Sequence, residues 1–444
     1  MFEEEIAHGE SDILEFKREF PSKDKKVMKT VVAFANCRGG RIIFGVENQT
    51  CEIRGVPEDD RARLQDLVTD MISDTCVPQV FPSFSWLTHE GKALFVVDVP
   101  ISGQTPYYIK AEGMEQGVYV RVGATTRRAS PEKVRELQLR GQNLTYDAVV
   151  ESGILPVSRK STEKVCADIR EYMESTAKPV GVNQLISWGL LRREGHALYP
   201  SNAYRLLVGE GLHFSGVQCA VFQGVDKVDF LDRKEFGGSL MEQLENAQRF
   251  LMQYLRQSSV IKGIRRDDIC EIPLEALREV IANAILHRNY LVHAYIQVAI
   301  FDDRIEISSP GGLYDNLTKE EMLSGISRLR NPLLADLFLK MGIVEQWGTG
   351  IKRVIRACTQ VGLEIPEYIV TGDSVKVIIR RPGRQAQVTP RKKHRRRPHK
   401  RDEALLAYLK EHPHAPLQQA ADAFFISVAT VWRFVQDMRA TGKL

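Results

Sequence analysis

Glu279, Asn283 and His287 follow one another at intervals of four residues in a segment whose other positions include Leu277, Val280, Ile281, Ala284 and Ile285. At 3.6 residues per turn the three polar side chains share one helical face while the apolar ones turn toward a core. An acid and an amide on an otherwise buried helix cost free energy unless something hydrogen-bonds or coordinates them, so the stripe asks for a ligand. Two glycine corners follow, Ser309-Pro310-Gly311-Gly312 and Gly348-Thr349-Gly350. The second stands just ahead of a helix expected to begin near Ile351, where free backbone N–H groups and the helix dipole suit an anion such as phosphate.

The elements that must position these residues read as α/β. Strands are expected at Gln218 to Gln223, Ala294 to Ile300 and Arg304 to Ile307, the last two forming a hairpin around Asp302-Asp303, with a closing strand at Ser374 to Arg380 and a long helix from Ser239 to Arg256. Nearer the N-terminus, Lys25 to Cys37 has helical period, Gly39-Gly40 breaks it, and Arg41 to Val46 is a β-branched apolar strand. Further strands are expected at Ile53 to Val56, Ala93 to Val99 and Val118 to Val122, and helices from Arg61 to Ser73 and Pro131 to Arg140. The chain therefore reads as an α/β (α+β) multidomain protein: a first domain over 1–140, a connecting region over 141–269, an α/β sandwich over 270–382, a basic linker over 383–401 and a helical module over 402–444.

Composition bounds the class. A chain of 444 residues has ample material for several cores. With 43% apolar and 27% charged residues it is ordinary for a globular protein, and no window reaches the roughly 18 uninterrupted apolar residues of a bilayer span. The N-terminus opens on Glu3, Glu4 and Glu5 rather than a basic, then apolar, leader, so a cytoplasmic location is expected and no membrane partner. Seven cysteines, odd in number and without a C-x-x-C pair, indicate neither a zinc framework nor a disulfide scaffold. The net charge of +4 conceals an asymmetry: Arg384 to Arg401 carries nine Lys or Arg and no acid, so positive charge is concentrated there and the rest is net acidic.

The Glu279-x-x-x-Asn283 stripe with its paired glycine corners resembles the GHKL ATPase family, the fold of gyrase B, Hsp90, histidine kinases and MutL, and most of all its divergent branch in bacterial RecG-like regulators. The resemblance covers about 270–382. It implies ATP and Mg²⁺ as cofactors, with Asn283 holding the metal against the phosphates and Glu279 positioning or activating the attacking water. Gly311, Gly312, Gly348, Thr349 and Gly350 would line the nucleotide, and Tyr314 to Arg330 would form its lid. The family's adenine-binding aspartate is replaced by Ser309, which can accept a hydrogen bond but carries no charge.

Glu10-Ser11-Asp12-Ile13-Leu14-Glu15-Phe16-Lys17-Arg18, then Ala33-Phe34-Ala35-Asn36, Gly39 to Val46 and Gly117 to Ala124, resemble the Schlafen/AlbA-type domain over residues 10 to 140. That family implies nucleic-acid binding, and some members cut tRNA or rRNA with three acids around a divalent metal. Carried onto this sequence, Glu10 and Glu15 are the first two acids; the third falls at Glu47-Asn48, so Glu47 is its candidate. Lys17, Arg18, Arg121, Arg127 and Arg128 would contact phosphate. The alternative for the acids is pairing with Lys17, Arg18 or Arg41 as structural salt bridges.

Pro416 to Val435 has a helix-turn-helix rhythm and resembles winged-helix regulators: Ala420 and Ala421 on a first helix, Ser427 capping a second, Val431 and Val435 turned inward. Val428, Ala429, Thr430 and Arg433 would then face a major groove, beside the cationic run Arg391 to Arg397. Together the modules lead us to expect a nucleotide-responsive, DNA-binding transcriptional regulator acting as a homodimer. The competing readings are a Schlafen-like metal-dependent RNase, in a phage-defence setting, and a non-enzymatic interaction scaffold.

Overall fold

The computed structural model describes residues 6–382 and 400–438, except 7, 20–24, 58–60, 174–179, 211–213, 263–264, 346–347, 413–414, 425–427, 429–430, 433 and 436–437; at 25, 257–262, 265–269 and 400–403 it describes the backbone alone. The chain divides into two compact units, Met1–Gly383 and Arg384–Leu444. The chain is an α+β multidomain protein, with helices and sheets mixed in the first unit.

In the first unit, strands β1 (Leu14–Lys17), β2 (Gly40–Phe44), β3 (Ser83–His89) and β4 (Lys92–Val99) form a sheet in the order β1-β2-β4-β3. β1 and β2 run parallel and the other pairs antiparallel. Helix α1 (Lys25–Asn36) covers one face through Val27, Met28, Val31, Val32 and Phe34, and α2 (Arg61–Thr75) adds Val68 and Ile72 to the same core. β2 ends at Phe44 rather than Val46 because Gly45 takes φ +99°. The expected strand over 53–56 reduces to a bridge between Val46 and Ile53, since Gly55 at φ +80° turns the chain and both Arg54 and Gly55 donate to the Gly45 carbonyl.

A hairpin of β5 (Tyr119–Val122) and β6 (Thr125–Arg128) packs beside α1. Its anchor is the buried Asn36, whose amide donates to the carbonyls of Tyr107 at 2.8 Å and Tyr119 at 2.9 Å while its oxygen accepts from the Tyr107 N–H at 2.7 Å. All three bonds reach across the domain, which fixes the hairpin on the helix. Helix α3 (Pro131–Gly141) follows, with Ser130 capping the Lys133 N–H and proline in its first turn.

A six-stranded sheet carries the polar stripe. Its strands are β7 (Val217–Phe222), β8 (Phe230–Phe236), β9 (Ile296–Ile300), β10 (Arg304–Pro310), β11 (Glu367–Val370) and β12 (Ser374–Arg380), in the order β8-β7-β9-β10-β12-β11. β7 and β9 are parallel; every other pair is antiparallel, including the expected hairpin of β9 and β10. The sheet therefore takes two strands from the segment ahead of residue 270. Helices α4 (Leu240–Tyr254) and α5 (Leu274–His287) pack together on it, and their apolar faces join strands β7, β9, β10 and β12 in the largest core. Helices α6 (Lys319–Ser324), α7 (Pro332–Lys340) and α8 (Gly350–Gln360) close the fold.

The ends of α5 and α7 are tied to remote residues. Fully buried Asp147 accepts from the Leu333 N–H at 2.8 Å and the Leu334 N–H at 3.1 Å, supplying the cap that Asn331 does not give its own helix. Asn331 instead donates to the Leu286 and Arg288 carbonyls at 2.8 and 2.9 Å, and Arg330 donates to the His287 carbonyl at 2.7 Å. A guanidinium at the C-terminus of α5 also complements the helix dipole there.

In the second unit, α9 (Lys400–Glu411) and α10 (Leu417–Phe424) bury Leu405, Leu409, Ala420 and Ala421 in one cluster with Val431 and Val435. The inward positions expected of the tail thus share a core. The basic run Arg391 to Arg397, the Ser427 cap and the groove-facing Ala429, Thr430 and Arg433 lie outside the described residues, while Val428 is exposed.

Candidate functional site

Helix α5 presents its stripe to a cavity of about 590 Å³, within the range of roughly 300–1,000 Å³ that small-ligand sites occupy. Glu279, Asn283 and His287 line it along one face of the helix, and Ile307, Leu313, Leu339, Val375 and Val377 make apolar walls. Ser309, Gly311, Gly312, Gly348 and Gly350 also reach its surface; Thr349 does not. The spacing of the stripe and the two corners, far apart in sequence, converge on one hollow.

At one end Glu279 is heavily engaged. Its Oε1 accepts from Asn283 Nδ2 at 3.1 Å, and its Oε2 accepts from Arg353 Nη2 at 2.7 Å. A Cβ placed on Gly350 would stand 2.1 Å from Glu279 Oε1, so the carboxylate rests against the first turn of α8. The anion at this helix N-terminus is the protein's own side chain, held where the dipole favours negative charge. Gly348, at φ +61°, packs so closely on the lid that a Cβ there would meet the Gly325 carbonyl oxygen at 2.0 Å. Both glycines are needed for contact between backbone and neighbour, which is a different reason from the phosphate approach read in the sequence.

The other corner is also closed on protein. Ser309 is buried and its hydroxyl donates to the Ala284 carbonyl at 2.7 Å, tying β10 to α5. Gly311 (φ +96°) leaves room for Asn289 and Arg330, and Gly312 for the carbonyls of Thr371 and Gly372. Arg330 Nη2 donates to the Gly312 carbonyl at 2.9 Å.

Mg²⁺ with a nucleotide fits this donor set. Asn283 lines the cavity, its Oδ1 has no partner among the described residues, and a neutral oxygen beside a carboxylate is the kind of ligand that hard cation takes. The glycines leave the polar end without side chains, and the apolar walls suit a flat heterocycle. Glu279 as a water-activating base fits less directly, because Arg353 already holds one of its oxygens.

Burial, with the nearby charge of Arg330, lowers the pKa of His287 from 6.5 to about 4. The ring is therefore neutral near pH 7 in the folded chain. The depressed folded value makes the unfolded chain bind the extra proton, so stability contributed by this site is complete above pH 6.5 and is lost as pH falls toward 4. Between pH 7 and pH 5 the loss should be about 2 kcal/mol. Urea unfolding at the two pH values should show that drop in the native chain and its removal in His287→Gln; an equal drop in both would rule the residue out.

In the first domain the structure corrects the reading of Arg121. Its side chain is buried rather than presented to phosphate: Nη1 donates to Glu15 Oε2 at 2.7 Å and to Thr126 at 3.0 Å, and Nη2 donates to the Ser11 carbonyl at 2.6 Å. Glu15 also pairs with Lys17 at 2.5 Å. Glu10 accepts from the Phe16 N–H at 2.8 Å; burial raises its pKa, with the Glu15 charge adding to the effect, while bonds to Phe16 and Asn48 oppose it. Glu47 points elsewhere, 3.6 Å from Arg18. The residue that joins Glu10 is the amide of Asn48, and no group of three acids, histidines or cysteines able to hold a metal occurs among the described residues. Of the cations expected to meet phosphate, Arg18, Arg127 and Arg128 are exposed, Arg128 donating to Gln116 at 2.7 Å.

Sequence reasoning missed the contacts between the first domain and the cavity rim. Glu136 of α3 is buried 3.6 Å from Arg330 and accepts from Asn289 at 3.3 Å. Burial pushes its pKa up, yet Lys133 and Arg330 outweigh this and hold it below the usual carboxylate value. Arg38 lies 3.4 Å from Glu321 and Arg140 3.4 Å from Asp315, both on the lid segment. An acid on the core-facing side of an otherwise amphipathic α3 was the available signal.

Residues 10–130 match the family model "Schlafen, AlbA_2", and residues 293–379 match the model described as "Putative ATP-dependent DNA helicase recG C-terminal", an HATPase-type domain. Helix α5 precedes the second match. Among solved structures, the DIP2311 protein from Corynebacterium diphtheriae is 22% identical, over 96% of this chain and 88% of that one, with a TM-score of 0.47. The N-terminal domain of a RecG-related protein from Nitrosomonas europaea is 29% identical over 29% of this chain and 90% of that one, with a TM-score of 0.23. No curated protein matches. No helix among the described residues is long and apolar enough to cross a membrane.

Proposed function

Since this chain is a Schlafen/AlbA-type protein carrying a RecG-like HATPase domain, we propose that it is a DNA-binding regulator whose grip on DNA responds to a Mg²⁺-bound nucleotide in the α5 cavity. The observation that carries the reading is the set of contacts joining the cavity rim to the nucleic-acid domain. Arg330 caps α5, lines the cavity and faces Glu136 of α3; Arg140 reaches from α3 to the lid residue Asp315 and also donates to the Asn36 carbonyl at 2.9 Å. Asn36 in turn holds Tyr119 at the start of the hairpin that ends in Arg127 and Arg128. A ligand that moves the lid must strain or relax this set, and differential contact between two states is what coupling requires.

In this reading Arg18, Arg127 and Arg128 supply phosphate contacts, and the cationic run with the helical tail supplies a second grip whose strength falls with salt. The bound metal would neutralise phosphate charge next to Glu279, and Asn283 would place it. Binding and conformational response, rather than rapid turnover, suit a carboxylate already paired with Arg353.

Duplex DNA binding measured by fluorescence anisotropy at fixed salt should shift at least about fivefold when saturating Mg-ATP is added, the lower end of ordinary allosteric coupling. Glu136→Gln should keep nucleotide binding and reduce that shift. Identical DNA affinity with and without nucleotide in the native chain would refute the proposal.

A further inference from the structure

Every charged side chain lining the α5 cavity already has a partner. Glu279 and Glu345 are both held by Arg353, Arg328 by Asp315, Asp336 by Lys340, and Arg330 by the carbonyls of His287 and Gly312. Asn283 commits its N–H to Glu279, and Ser309 donates to Ala284. His287 differs from them: its half-buried ring lines the cavity and makes no hydrogen bond or ion pair among the described residues. It stands two helical turns from Glu279 and one from Asn283, at the end of α5 where Arg330 donates to both the His287 and Gly312 carbonyls.

An unpartnered imidazole on the wall of a largely apolar cavity leaves a donor and an acceptor open to a ligand atom. We propose that His287 recognises the heterocyclic base, and that the site takes purine nucleoside triphosphates without selecting the 6-amino group. This rests on the nucleotide reading above and extends it to specificity. A carboxylate at Ser309 would only accept hydrogen bonds, and so would reward an amino group and reject a 6-oxo group. The neutral imidazole has one donor and one acceptor, so it can satisfy the edge of either base. Ser309, committed to Ala284, does not restore the discrimination. A pocket built around an obligatory polar contact rejects the wrong partner by about 10⁴-fold or more; without that contact the two purines should lie within about tenfold.

The test is calorimetric titration of the full chain with Mg-ATP, Mg-GTP and Mg-tripolyphosphate, repeated with His287→Leu and His287→Gln, each first checked for a native unfolding midpoint at pH 7.5. The native chain should bind ATP and GTP within tenfold of each other. His287→Leu should weaken both by at least tenfold while leaving tripolyphosphate unchanged, and His287→Gln, which keeps a donor and an acceptor, should recover most of the loss. A preference for ATP of a hundredfold or more, or nucleotide binding unchanged in His287→Leu, overturns the inference and leaves the cavity's nucleotide role standing. Failure of the native chain to bind any of the three overturns that role, and the inference with it.

Discussion

Arg121→Ala should destabilise the first domain by about 3–5 kcal/mol, the cost of breaking a buried ion pair by removing one partner. Glu15 would be left buried with Lys17 as its remaining cation, and the Ser11 carbonyl and Thr126 would each lose a donor. The guanidinium also lies 5.0 Å over the Phe34 ring, so packing is lost with the charge. Urea unfolding of the full chain followed through the first domain would register the change. The same variant also separates structure from contact. If Arg121 met phosphate, its loss would lower the salt slope of nucleic-acid binding by about one unit at unchanged stability; an unshifted unfolding midpoint would contradict the buried role.

Gly348→Ala should cost about 2–4 kcal/mol, adding the left-handed backbone penalty for a residue with Cβ to the strain of overpacking. The methyl group would meet the Gly325 carbonyl oxygen at 2.0 Å, and the obstacle is backbone rather than the end of a flexible side chain. Because Gly325 ends the helix of the lid, the displacement should also reach the cavity. Nucleotide affinity should therefore fall along with the unfolding midpoint. Native stability and affinity in this variant would show that the corner is looser than its geometry requires.

The site was legible where a few residues force the geometry. Glu279, Asn283 and His287 could be placed on one face of a helix because the apolar residues between them leave no other arrangement, and α5 spans Leu274–His287. β12 is found at Ser374–Arg380, as its apolar run requires. What escaped was edge and register. β8 reads as mostly charged because it is the outermost strand of its sheet and buries little. β3 hides Phe84 and Trp86 between serines and other half-exposed residues, a short alternation that a propensity reading passes over.

Roles were harder to read than elements. Arg121 sits in a strand that alternates faces, and nothing in its neighbours says which face carries the arginine inward toward Glu15. At Glu47-Asn48 the family spacing pointed to an acid, whereas the fold turns the amide of Asn48 to Glu10 and the acid to Arg18. The pairing of Glu136 with Arg330 spans almost two hundred residues, and no local pattern encodes a partner at that separation.

The central claim is that the α5 cavity binds a Mg²⁺-nucleotide through Asn283, and calorimetric titration of Mg-ATP into the native chain and Asn283→Ala tests it most directly. The account predicts saturable binding at one site per chain in the native protein, dependent on Mg²⁺, and its loss in the variant at an unchanged unfolding midpoint. Superimposable isotherms for the two proteins, or no binding heat at any temperature tried, would contradict it.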